Sequence, residues 1–121
     1  MRYAILIYHQ EADESGMTPA QREKEMGGFF AFTQAVKEAQ AYAGGEALHP
    51  TATATTVRVS GDQTITTDGP FAETKEQLAG FYLLDCKDLD EAIQWAAKIP
   101  SASRGAVEVR PVVDFSKAAK A

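Results

Sequence analysis

An Asp-Gly-Pro-Phe string at residues 68–71 is the most distinctive part of the chain in which a side chain could do chemistry. Pro70 fixes its own backbone φ and restricts the residue before it, so the turn is stiff. Asp68 is then either an acceptor for backbone N–H groups of the turn, with Phe71 buried in the core, or a carboxylate that opens into a pocket. In the second case Asp68 is a candidate catalytic base or ligand anchor.

His9 is the second candidate catalytic residue, because it directly follows an apolar segment that is predicted to be a strand. Residues 9–16 are acidic and polar and are predicted to form a loop, in which a histidine is either a surface residue or a pocket residue that moves protons. Glu11, Asp13 and Glu14 are close in sequence, but their spacing matches no known ligand pattern. With two histidines and one cysteine in the chain, the sequence predicts no metal site.

Four polar residues of predicted strands form the candidate ligand-binding set: Arg58, Tyr82, Glu108 and Arg110. Alternation turns the valines of the last strand one way and Glu108 and Arg110 the other way, towards a face expected to meet a partner subunit. Polar groups on a covered face need partners. They either pair with one another or, with Tyr82, line a cavity for a small polar or anionic molecule. The set has two arginines and one glutamate, so one positive charge has no partner within it. This surplus charge favours an anionic ligand.

The helices that must position these residues have clear start signals. Thr18 is predicted to cap a long helix with Pro19 at its first position, and Gln21 completes a capping box. The glycine pair at residues 44–45 is expected to end this helix. Asp88 is predicted to cap a second helix in the same way.

A β-hairpin is predicted from residues 55–59 and 63–67, and its register depends on the loop length. A two-residue loop places Arg58 beside Ile65, which mixes polar and apolar side chains on one face. A three-residue loop pairs Val57 with Ile65 and keeps each face uniform, so we expect the three-residue loop.

The order of the elements predicts an α+β fold: a ferredoxin-like β-α-β-β-α-β protomer with an extra hairpin. Residues 1–115 form the single domain, and residues 116–121 form a short, frayed tail. Both helices of such a fold lie on one face of the sheet, yet residues 3–8 and 81–86 are apolar on both faces. A second copy of the chain is the simplest cover for the other face, so we expect a homodimer with facing sheets.

Composition excludes several functional classes. The chain of 121 residues carries 17 acidic and 12 basic side chains, a net charge of −5, so it lacks the basic footprint of a nucleic-acid binder. Its apolar runs are far shorter than the roughly 20 residues of a membrane helix. The single cysteine, Cys86, is predicted to be a small core residue of a cytoplasmic protein. The glycine pairs match no phosphate-binding loop, and the sequence predicts no cofactor.

The twelve residues 67–78, TDGPFAETKEQL, resemble the signature of the DGPF group within the YCII-related proteins. Similar strings recur at residues 55–59, 89–92 and 107–111, so the resemblance covers nearly the whole chain. It implies a dimeric α+β barrel of ferredoxin-like protomers. Because such proteins are often encoded beside extracytoplasmic-function sigma factors, the resemblance is also compatible with an accessory or regulatory role.

The resemblance does not bring a mechanism with it. In another branch of the YCII-related proteins, a histidine of the first helix and the aspartate of an Asp-Pro after the second helix have been proposed as a pair. Here the first predicted helix contains no histidine, and Ile99 precedes Pro100. The sequence therefore favours a small dimeric protein that binds a small molecule or serves as a signalling accessory. The alternative is an enzyme that uses Asp68, with His9 or Tyr82, for acid/base chemistry.

Overall fold

The chain combines α-helices with antiparallel sheets, which confirms the predicted α+β class. The computed structural model describes residues 1–118. Its elements are, in order, β1 (Arg2–His9), α1 (Glu11–Ser15), α2 (Pro19–Glu38), β2 (Tyr42–Ala47), β3 (Thr55–Ser60), β4 (Gln63–Asp68), β5 (Gln77–Asp85), α3 (Leu89–Ala96), β6 (Ala106–Pro111) and α4 (Phe115–Ala118).

The strands form two sheets of very different size. Four strands make an antiparallel sheet in the order β2-β5-β1-β6. Its central strands, β5 and β1, are the two segments that are apolar on both faces, as the sequence predicts. Strands β3 and β4 pair with each other and form a separate two-stranded sheet.

One face of the four-stranded sheet carries the core. Along β1, Tyr3, Ile5 and Ile7 are buried, and each alternates with a half-buried residue. Both long helices contribute to the same cluster, so both lie on this face. The cluster also contains Phe32 and Val36 of α2, Leu84 of β5, Ala92 and Ala96 of α3, Ala41, Cys86 and Ile99.

The opposite face of the same sheet is half-buried and largely apolar. It carries Ala4, Leu6 and Tyr8 of β1. The register places Leu6 beside Phe81 of β5 and Glu108 of β6. Val107 and Val109 pack against the core instead, which confirms the alternation predicted for the last strand.

Helix α2 begins as predicted but ends earlier. Thr18 and Gln21 form the complete capping box, with Pro19 in the first turn. The helix ends at Glu38 because Gln40 takes a left-handed conformation, with φ of 60°. The expectation that the glycine pair at residues 44–45 ends it is wrong, since these glycines belong to β2.

Asp88 caps α3 as predicted, accepting a hydrogen bond from the Glu91 amide.

The predicted loop at residues 9–16 is wrong, because most of it forms the short helix α1. A five-residue helix is not stable through its own hydrogen bonds, so tertiary contacts must hold it. Its first amide, Glu11 N–H, donates to Gln77 Oε1 at 2.9 Å. Such a contact between residues 66 positions apart leaves no periodic signal in the sequence.

The predicted register of the β3–β4 hairpin is also wrong. Arg58 lies opposite Ile65, and Ser60 pairs with Gln63 across a two-residue loop. Gly61 takes φ of 58° at the first loop position, as in a type II′ turn, which suits this tight connection. Both faces of the hairpin are mainly exposed, so burial does not impose uniform faces.

Three further expectations concern Phe71, Cys86 and the tail. Phe71 is 79% exposed, so it is not a core residue. Cys86 is buried and burial raises the pKa of its thiol, which confirms it as a core residue. In the tail predicted to be frayed, α4 covers Phe115–Ala118, and residues 119–121 lie outside the described part.

No helix within residues 1–118 is long and apolar enough to span a bilayer.

Candidate functional site

The candidate site is a cleft of about 930 Å³ between α2 and the β2–β5 edge of the sheet, with α1 at one end. Ligand pockets in proteins commonly have volumes of roughly 300–1,000 Å³, so the cleft is large enough for a small organic molecule. One face of α2 forms its roof, where residues three or four positions apart line the cleft: Arg22, Glu25, Met26, Phe29 and Thr33.

His9 is the buried polar residue of this cleft. Its side chain is only 8% exposed, at the end of β1, and its Nε2 lies 2.7 Å from Glu14 Oε2. Because a carboxylate accepts, Nε2 carries the proton towards Glu14. Nδ1 is buried and has no hydrogen-bond partner within residues 1–118. Gly105 lies close to the backbone of Tyr8 and His9, so that a Cβ at this position would be 2.1 Å from the Tyr8 carbonyl oxygen.

Helix α1, which carries Glu14, is fixed at its start by two contacts. Gln77 of β5 accepts from the Glu11 amide at 2.9 Å. The Glu11 carboxylate accepts from Thr51 twice, from the amide and from the hydroxyl, both at 2.8 Å. The wall of the cleft near His9 is therefore joined both to β5 and to the segment that leads into the hairpin.

A partly buried ion pair lies at the same end of the cleft. Glu25 of α2 accepts two hydrogen bonds of 2.7 Å from Arg104, and both side chains are about one-fifth exposed. The guanidinium holds the pKa of the Glu25 carboxyl below its usual value, and the carboxylate raises the pKa of Arg104. The charge interaction with His9 also lowers the pKa of Glu25. The pair thus attaches the roof helix to the segment before β6.

The other end of the cleft carries a pair of hydroxyl groups. Thr33 Oγ1 of α2 and Tyr82 OH of β5 are 2.8 Å apart, and both residues line the cleft. Edge-to-face contacts with Phe32 and Tyr42 hold the Tyr82 ring, at centroid distances of 5.1 and 6.4 Å. One hydroxyl hydrogen bonds the two groups to each other, which leaves the second available to a ligand.

The predicted site residues do not come together in one place. His9 and Tyr82 line the cleft, whereas Asp68 does not. Asp68 is exposed at the end of β4, and within residues 1–118 its carboxylate accepts no hydrogen bond. The turn is instead closed by Thr56 Oγ1, which donates to the Gly69 carbonyl oxygen at 2.9 Å. The expectation that Asp68 is a turn acceptor is therefore wrong.

The predicted ligand-binding set is likewise divided by the fold. Arg58 is exposed on the separate hairpin. On the open face of the sheet, Glu108 accepts hydrogen bonds from Arg110 and from Tyr8. Of the two alternatives predicted for the set, mutual pairing is therefore the one that Glu108 and Arg110 follow. Tyr82 lies opposite Ile5 on the core face, where it meets Thr33. The expectation that all four residues share the partner-facing side is wrong for Arg58 and Tyr82.

Several residues of the cleft were not predicted from the sequence. Glu14 was noted only as one of the acidic neighbours of His9, at a spacing that gave no metal pattern. A five-residue offset matches neither the helical spacing of three or four residues nor the alternation of a strand, so it did not pair Glu14 with His9. The contacts of Glu25, Arg104, Thr33 and Gln77 carried no signal, because their partners are distant in sequence. Within the described residues, no group of three potential metal ligands is present.

Comparison with known proteins gives the family. The model of the YCII-related domain matches residues 1–116. An uncharacterized protein from Rhizobium meliloti (strain 1021) is 44% identical over 114 residues, which are 93% of this chain and 92% of that protein. The chain therefore belongs to the YCII-related family, as the resemblance of residues 67–78 implies.

Proposed function

We propose that the protein binds a small organic molecule in the cleft between α2 and the β2–β5 edge. The observation that carries this proposal is the buried His9, whose Nε2 meets Glu14 at 2.7 Å inside a cleft of about 930 Å³. A histidine and a carboxylate kept together in a cleft are typical of a recognition or reaction site.

The charges favour a ligand that is not an anion. Three glutamates line the cleft on its helical side, Glu11, Glu14 and Glu25, whereas Arg22 is the guanidinium among its lining residues. The anionic ligand expected from the sequence depended on Arg58 and Arg110, and neither lines the cleft. A small polar molecule with an apolar body agrees better with this distribution.

A fragment screen followed by amide chemical shifts tests the proposal. Neutral, cationic and anionic fragments are titrated into ¹⁵N-labelled protein, and we expect binders to shift the amides of Gly45 and Gly80, both in the cleft wall. His9→Gln should weaken such binding by about tenfold or more, and Glu14→Gln serves as a milder second variant at a half-exposed position. The matched control is Glu23→Gln, on the exposed side of α2. The absence of any cleft-specific shift would refute the proposal.

A second candidate function is acid/base catalysis by the His9–Glu14 pair. The specific observation is the orientation of the imidazole by a carboxylate, an arrangement that positions histidine for proton transfer. This pair replaces the Asp68-centred mechanism within one chain, because Asp68 lies outside the cleft. A cleft ligand with an acidic C–H should then exchange that hydrogen for deuterium in D₂O, measured by mass spectrometry. His9→Gln and Glu14→Gln should both abolish the exchange, and exchange that survives both changes contradicts this candidate.

We also propose a homodimer through the open face of the four-stranded sheet, in the dimeric α+β barrel of ferredoxin-like protomers that the family resemblance implies. The strand order and the half-buried apolar row, Ala4 and Leu6 beside Leu83 and Phe81, support it. Light scattering should give about twice the chain mass of 13.1 kDa. A monomer at micromolar concentration, or no change in mass with Leu6→Glu, contradicts the dimer. The cleft lies on the helical side, so this dimer leaves it accessible.

A signalling role remains a proposal that rests on the family resemblance. In it, the cytoplasmic dimer is an accessory of an extracytoplasmic-function sigma factor, and it contacts neither nucleic acid nor membrane. The acidic balance of 17 to 12 and the single reduced cysteine support this placement. Co-expression with the sigma factor and co-purification through a tag test it, with the Leu6→Glu variant showing whether the dimer face is required.

A further inference from the structure

The floor of the cleft is unusually bare. Ala47, Gly80 and Ile7 form one row across β2, β5 and β1. Gly45 belongs to the next row, beside Tyr82. Neither glycine can accept a side chain, because a Cβ would lie 2.8 Å from a backbone oxygen of the neighbouring strand. Backbone without side chains makes a flat surface, on which a planar ring can lie closely.

Two independent measures give the length of the cleft. Along the roof, Glu25 and Thr33 are eight helical residues apart, roughly 12 Å at 1.5 Å per residue. Along the floor, His9 and Ile5 are four strand residues apart, roughly 13 Å at about 3.3 Å per residue. Because Ile5 pairs with Tyr82, both measures join the acidic end to the hydroxyl pair.

The two ends differ in charge. The Thr33–Tyr82 hydroxyl pair is uncharged and backed by aromatic rings. The opposite end has the three carboxylates of Glu11, Glu14 and Glu25 against two guanidinium groups, Arg22 in the wall and Arg104 paired with Glu25. Arg22 donates to the Glu14 carbonyl oxygen. His9 keeps a buried nitrogen without a partner at this end.

We infer that the cleft takes a flat aromatic molecule, roughly 10 Å long, that carries a basic nitrogen. The inference rests on the proposed function, since it names the ligand class of that site. The ring lies on the Gly45–Gly80 floor below Phe29, and the protonated nitrogen faces Glu14. An aromatic ring gains edge or offset contacts with Phe29 and Tyr82, and a cation gains from the excess of carboxylates. A carboxylate on the same ring would be repelled.

Three probes separate the contributions of ring and charge in the intact protein. Tryptamine carries the ring and a cation, indole-3-acetate carries the same ring and an anion, and butylamine carries the cation without the ring. In titrations at low ionic strength, followed by amide shifts of Gly45 and Gly80, we expect tryptamine to bind about tenfold or more tightly than indole-3-acetate. Butylamine should give no saturable shift.

Variants localise the preference for the cation. Glu14→Gln, at a half-exposed position, should reduce the tryptamine affinity severalfold and leave indole-3-acetate unchanged or improved. Glu23→Gln, on the outer face of α2, removes the same charge outside the cleft and should have no effect.

The outcomes distinguish this inference from the proposed function. Tighter binding of indole-3-acetate than tryptamine, or a tryptamine affinity that Glu14→Gln leaves unchanged, overturns the ligand class while the cleft remains a binding site. Cleft binding only by fragments without a ring overturns the ligand class as well. If no fragment of any charge shifts the cleft amides, the proposed function itself fails.

Discussion

The four-stranded sheet and the β3–β4 hairpin are built from the same chain, but different forces hold them. In the sheet, Ile5 and Leu84 are fully buried beneath two helices. In the hairpin, every residue of β4 is exposed, and Val59 is 70% exposed. A two-stranded sheet without cover is marginally stable in water, so the hairpin depends on its attachment or on a partner.

The most distinctive part of the sequence also lies mostly outside the cleft. The most specific string, residues 67–78, begins on the exposed hairpin and crosses an exposed turn with Phe71. Only its last residues reach the cleft, where Gln77 holds the start of α1 and Leu78 lines the wall. The polar groups of the cleft come from positions that form no motif. A recognisable string can therefore identify a family without containing the polar groups of the cleft.

The largest predicted difference is between Leu84→Ala and Val59→Ala. Removing the fully buried Leu84 side chain should lower the free energy of unfolding by about 3 kcal/mol, because a cavity is left in the core. Val59→Ala should change it by less than about 0.5 kcal/mol. Urea unfolding followed by Trp95 fluorescence measures both. Equal losses would show that the hairpin is packed, and a second copy of the chain would be the first partner to test.

The next largest effect concerns the Glu25–Arg104 pair, which ties the roof of the cleft to the segment before β6. Glu25→Gln should lower the free energy of unfolding at pH 7 by about 2 kcal/mol, because Arg104 keeps a partly buried charge without its carboxylate. The pKa of Glu25 is lowered in the folded state, so this stabilisation is present above its usual value of 4.5 and is lost as the pH falls through the folded-state pKa.

The pH dependence therefore supplies the measurement. The stability difference between the natural chain and Glu25→Gln should narrow as the pH falls below about 4.5. Glu23→Gln, exposed on the same helix, should follow the natural chain at every pH. A difference that is constant down to pH 3 would mean that the ion pair contributes nothing that depends on protonation.

Alanine substitutions at Gly69 and Gly27 should change the free energy of unfolding by smaller amounts and in opposite directions. A Cβ at Gly69 or at Gly27 meets nothing within 4 Å, so only the backbone conformation matters. Gly69 has φ of 96°, and Gly69→Ala should cost about 1 kcal/mol. Gly27 lies within α2, where Gly27→Ala should stabilise by roughly 0.5–1 kcal/mol. Melting temperatures that move in the same direction for both variants would contradict this explanation.

The sequence predicts well those features that local pattern controls. The Thr18 capping box, the two central strands and the alternation around Val107 and Val109 all follow from residues close in sequence. The helix α1 and the contact of His9 with Glu14 depend on Gln77, more than 60 residues away, and no period records such a contact. The hairpin register failed for another reason: both faces are exposed, so the pattern of its side chains carries no information about pairing.

The smallest predicted effect belongs to Asp68, the residue that the sequence marks most strongly. Its carboxylate is exposed and accepts no hydrogen bond within residues 1–118, so Asp68→Asn should leave the free energy of unfolding within about 0.5 kcal/mol of the natural value. Tryptamine affinity should not change either, because Asp68 does not line the cleft of its own chain. Glu14→Gln, measured in parallel, shows that the assay detects the loss of one carboxylate. A loss of affinity in Asp68→Asn would mean that the hairpin of a second copy reaches the cleft, and Arg58→Ala on the same hairpin should then change the affinity as well.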